Sequence, residues 1–72
     1  MASAQDRYVD ALMSQVRDVQ YPSTEIMDRL ESNLATREQL EQYLELLLER
    51  VESCQYPSKQ LLDRLDRLAA LL

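Results

Sequence analysis

The tetrapeptide Gln-Tyr-Pro-Ser occurs twice, at residues 20–23 and 55–58, and the 35-residue interval between its copies holds over a longer stretch. Tyr8 to Leu30 can be laid on Tyr43 to Leu65 at that offset with no gap, and ten of the 23 positions are identical. The identities are Tyr8/Tyr43, Leu12/Leu47, Val16/Val51, the two tetrapeptides, and Asp28-Arg29-Leu30 with Asp63-Arg64-Leu65. The chain is therefore read as one domain, residues 1–72, containing two tandem repeats, 3–35 and 36–72. What one repeat folds into, the other is expected to fold into as well.

The tetrapeptide sets the local structure. A proline cannot continue the preceding helix and disfavours helical geometry at the residue before it, Tyr21 or Tyr56. The serine after it can accept a hydrogen bond from an open N–H of the next helix. Each copy thus ends one helix and starts another. The first helix is predicted from a Ser3 N-cap to about Gln20, with Val9, Leu12, Val16 and Val19 as its apolar stripe and Tyr8 and Met13 at the edges. The second runs from Thr24 to about Asn33 and offers Ile26, Met27, Leu30 and Leu34. Thr36 and Gln39 form a capping-box pattern that opens a third helix, Arg37 to about Cys54. Its seam of Leu40, Leu44, Leu47, Val51 and Cys54, spaced four, three, four and three, is joined at the edges by Tyr43 and Leu48. The fourth helix runs from Lys59 towards the C-terminus on Leu61, Leu62, Leu65, Leu68, Ala69 and Leu72. A repeat of this kind has one apolar face and nothing of its own to cover it. The expected fold is an all-α four-helix bundle of two helix-corner-helix repeats, long, short, long, short, with pseudo-two-fold symmetry.

Composition excludes several chemistries. Gly is absent and the chain is rich in Leu, Glu, Gln, Arg and Asp, which leaves little material for hairpins. One cysteine allows no internal disulfide, and without His the common zinc ligand sets cannot be assembled in one chain. Thirteen acidic against eight basic residues give a net charge of −5, which repels nucleic acid and anionic membranes. No apolar run resembles a signal peptide or a membrane span, and a free thiol suits a reducing compartment, so a cytoplasmic protein is expected. A chain this short hides only about 60% of its unfolded surface. Self-association or a protein partner is the expected source of added stability.

The candidate sites follow from these faces. Glu41, Glu45, Glu49 and Glu52 project from one side of the third helix, either as a site for a basic partner or as its solvated back. Cys54, repeat mate of Val19, reads as core filler, since no base accompanies it. Tyr21 and Tyr56 are either plugs that pack one turn into the following helix, near Met27 and Leu62, or a paired anchor for a partner. Leu46 and Leu71 fall outside the apolar arcs of their helices. Leu71 reads as terminal fraying; Leu46, whose mate is Ala11, is either part of a broad face or a contact residue. No catalytic residue, cofactor or metal site is expected. The leading expectation is a non-enzymatic protein–protein interaction module, a homodimer joined through its Leu-rich helices. The alternative is an acidic regulator or inhibitor that covers a basic surface on its partner.

Overall fold

A computed structural model describes residues 3–19 and 23–72. Among them it contains four α-helices and no strand: α1 (Ala4–Asp18), α2 (Thr24–Asn33), α3 (Arg37–Ser53) and α4 (Lys59–Ala69). They form two compact units, Met1–Ala35 and Thr36–Leu72. In the first α1 packs on α2, and in the second α3 packs on α4. The longer helix comes first in each, 15 residues before 10 and 17 before 11.

Side-chain oxygens fix all four starts. Ser3 Oγ accepts from the Asp6 N–H at 3.1 Å, and the Asp6 carboxylate accepts from the Ser3 N–H at 3.4 Å. This capping box satisfies two groups that the helix cannot satisfy internally. Thr36 and Gln39 repeat the arrangement at α3, at 3.1 and 3.3 Å. Ser23 Oγ accepts from the Ile26 N–H and Ser58 Oγ from the Leu61 N–H, each at 3.1 Å. The caps of α2 and α4 are thus equivalent in both copies of the tetrapeptide.

The ends are made without left-handed residues, since no described residue has positive φ. Val19 and Cys54 stand as extended C-caps whose N–H groups donate to Gln15 O and Val51 O. Asn33 terminates α2 through its side chain rather than by the left-handed turn in which Asn is favoured. Its Nδ2 donates to Arg29 O at 2.7 Å, and its Oδ1 accepts from Gln5 Nε2 at 3.1 Å. Gln5 Nε2 also donates to Asn33 O at 3.3 Å, so a polar clamp ties the start of α1 to the end of α2. At the 35-residue offset Gln5 and Asn33 correspond to Leu40 and Leu68. In the second unit Leu68 is buried and Leu40 half-buried. The same place carries hydrogen bonds in one hairpin and apolar residues in the other.

The core of the first unit is Val9, Leu12, Met13 and Val16 on α1 with Met27 and Leu30 on α2. That of the second is Tyr43, Leu44 and Leu47 on α3 with Leu68 on α4. Burying one side chain of this size stabilises by about 1.5–3 kcal/mol relative to exposure. Several expected core positions lie elsewhere. Val19 is exposed because it has already left the helix as an extended cap. Cys54 sits in the same cap position on α3, so its free thiol faces solvent rather than filling the core. Leu48, Leu62, Ala69 and Leu72 are exposed, and Val51, Leu61 and Leu65 are half-buried.

Candidate functional site

The two units differ in which flank they cover. In an antiparallel pair of right-handed helices, the residue one step after an inward position turns to the same side of the hairpin on both helices. In the first unit those residues are Met13, after Leu12, and Met27, after Ile26; in the second they are Leu48, after Leu47, and Leu62, after Leu61. Met13 and Met27 are only 4% and 8% exposed, whereas Leu48 and Leu62 are 44% and 40% exposed. On the opposite flank, one step before an inward position, the order reverses: Tyr8 is 40% exposed and Tyr43 is fully buried. Sequence equivalence between the repeats is not equivalence of environment.

Tyr8 shows what the open flank of the first unit is made of. Arg29, also one step before an inward position, hydrogen-bonds Glu25 through Nη2 at 2.8 Å and Nε at 3.2 Å. The hydrogen bond to Glu25, and after it the nearby Tyr8 hydroxyl, raises the Arg29 pKa above the ordinary arginine value. In the second unit Gln60 occupies the place of Glu25, and Arg64 is half-buried. Exposed ion pairs of the Arg29–Glu25 kind, like Arg37–Glu41 at 3.4 Å and Lys59–Asp63 at 3.8 Å, run from i to i+4 along one helix. They support the helix locally and do not build a site.

The open flank of the second unit is the apolar surface with helical order. Leu48 and Leu62 lie on it, with half-buried Leu65 one turn beyond Leu62. Glu45 and Glu52, three residues before and four after Leu48, share its stripe, and Asp66 follows Leu62 by four. Glu45, Glu49, Glu52 and Asp66 are all exposed. None of the four side chains enters a hydrogen bond or ion pair among the described residues.

The expected site residues are thus only partly brought together. Glu45 borders the open face, while Glu49 points from the back of α3. Leu46 is half-buried and turns to the other flank. Tyr56 is 83% exposed, so it does not plug the second corner. Pro57 separates it from the Ser58 cap, and the Leu62 it was expected to pack against is itself open. Tyr21 lies outside the described residues. Leu71 is exposed beyond the end of α4, and its N–H donates to Leu68 O at 3.0 Å. By spacing, Leu62 falls on the apolar stripe of α4 and Leu48 at the edge of that of α3, yet both are exposed. The available signal was that each stands one step past an inward position, a pairing visible only once the helices are folded into a hairpin.

Among the described residues no group of three or more His, Cys, Asp or Glu side chains could hold a metal ion, and no helix is long and apolar enough to cross a membrane. No protein-family model matches the chain, and it matches none of the curated proteins or solved structures compared with it.

Proposed function

We propose that the chain is a small non-enzymatic protein–protein interaction module whose contact surface lies on the second of its two tandem helix-corner-helix repeats. The observation that carries this reading is the exposure of Leu48 and Leu62 on one flank, where their repeat mates Met13 and Met27 are buried. Leaving two leucines 40–44% exposed forfeits a little under half of their transfer free energy, which is about 1.5–3 kcal/mol each when fully buried. A small domain does this at little net cost only if the face is covered in use. Unequal exposure of the mates also argues against the two repeats being interchangeable, so the contact belongs to one of them.

Two ways of covering the face follow. Self-association through the Leu-rich helices would make a homodimer. The second reading, an acidic module that covers a basic surface, is favoured by the free carboxylates of Glu45, Glu49 and Glu52. Sedimentation of the chain and of Leu48→Glu, together with selection from a displayed library of helical peptides, tests the common core of both. The expected outcome is an assembly or a selected peptide complex that Leu48→Glu abolishes while helical circular dichroism is preserved. A chain that stays monomeric and selects no peptide through Leu48 would sink the reading.

A further inference from the structure

We infer that the Leu48–Leu62 face receives a basic amphipathic helix from another protein; this rests on the interaction-module reading and adds the chemistry of the partner. The face has the two parts that such a helix requires. Leu48, Leu62 and Leu65 supply an apolar strip across two packed helices, which suits side chains at i, i+3 or i+4, and i+7 of an incoming helix. Glu45 and Glu52 border the strip on α3, and Asp66 borders it on α4. These three carboxylates are exposed and uncommitted among the described residues. The basic side chain on the Leu62 stripe, Lys59, is already engaged with Asp63 at 3.8 Å. At the far end of the Leu48 stripe, Glu41 is likewise engaged with Arg37 at 3.4 Å.

Charge selects among the possible occupants. A second copy set on this face by a two-fold axis would bring the acidic set of Glu45, Glu52 and Asp66 against the same acidic set of the other copy, a like-charge juxtaposition that opposes association. An acidic helix meets the same repulsion. A helix with Lys or Arg on both sides of a Leu-like stripe fills the strip and pairs with all three acids. Such charges set partner choice and encounter rate, while the apolar strip supplies the residence time.

The test uses the full chain and two synthetic helical peptides with the same leucine stripe, one flanked by Lys and one by Glu. Binding is followed by fluorescence anisotropy at low salt and at about 1 M, where screening shortens to about 3 Å. The Lys-flanked peptide is expected to bind about tenfold more tightly at low salt, as three exposed charge pairs would give, and to lose that advantage at high salt. Leu48→Glu should abolish binding although it makes the face more acidic, and Glu45→Lys with Glu52→Lys should reverse the preference. Binding that survives Leu48→Glu would reduce the effect to diffuse charge capture and overturn the inference. Equal affinity for the two peptides would overturn the basic partner while leaving the interaction module standing. A chain that binds neither peptide but sediments as a dimer dissociated by Leu48→Glu would assign the face to a second copy and overturn the inference. A monomer that binds neither would remove the module reading with it.

Discussion

The first hairpin covers the flank of Met13 and Met27 and leaves Tyr8 and Arg29 in water; the second covers Tyr43 and leaves Leu48 and Leu62 in water. Both hairpins carry the same sequence pattern, with tyrosine on one flank and a large apolar side chain on the other. The difference teaches that the pattern fixes the hairpin but not the side from which it is shielded. Each flank is apolar enough to be buried and mixed enough to be tolerated in solvent.

Substitutions at repeat mates test this reversal directly. The largest effect is expected at the tyrosines. Tyr43→Ala removes a fully buried ring and should cost about 3–5 kcal/mol, whereas Tyr8→Ala, at an exposed position, should cost well under half of that. Denaturant unfolding of the two variants gives the comparison, and equal losses would break it. Next come Met13→Ala and Leu48→Ala. The first should cost about 2–4 kcal/mol through a core cavity, and the second less than about 1 kcal/mol because water already reaches the side chain. A large loss at Leu48 would show that its flank is closed in solution. The smallest effect sharpens the comparison from the other side. Ser23→Ala and Ser58→Ala remove cap bonds of the same length, 3.1 Å, so each should cost about 1 kcal/mol. Equal shifts in midpoint are expected here, and unequal ones would mean that the repeats differ in their corners as well as their flanks.

Local structure was legible in the sequence because it is written in local chemistry. Ser3, Ser23, Thr36 and Ser58 announce their helices through side-chain oxygens, and α2 spans Thr24–Asn33 as its residues predict. The all-helical class followed from spacing and from the absence of glycine. Core membership was legible for Val9, Leu12, Val16, Met27, Leu30, Leu44, Leu47 and Leu68, while Met13 and Tyr43, read as edges of their stripes, are buried as well. Val19 and Cys54 were misassigned because the apolar periodicity runs one residue past the helices, and an extended cap turns its side chain out of the stripe. Tyr56 was misread for a related reason, since the corner places it two residues ahead of the Ser58 cap. The open face could not be read at all from one helix at a time. Leu48 belongs with Leu62 only across the hairpin, and the contrast with Met13 and Met27 is one of burial, not of residue type.

The different chemistry at the open ends of the two hairpins has a thermal consequence. Gln5 and Asn33 hold the first with hydrogen bonds, while Leu40 and Leu68 occupy the same place in the second. Apolar burial weakens on cooling, because its heat-capacity signature draws down the entropic driving force. A hydrogen-bonded clamp lacks that signature. Towards the freezing point the Leu40–Leu68 end of the second hairpin should therefore fray before the Gln5–Asn33 end of the first, giving the two hairpins different cold tolerance.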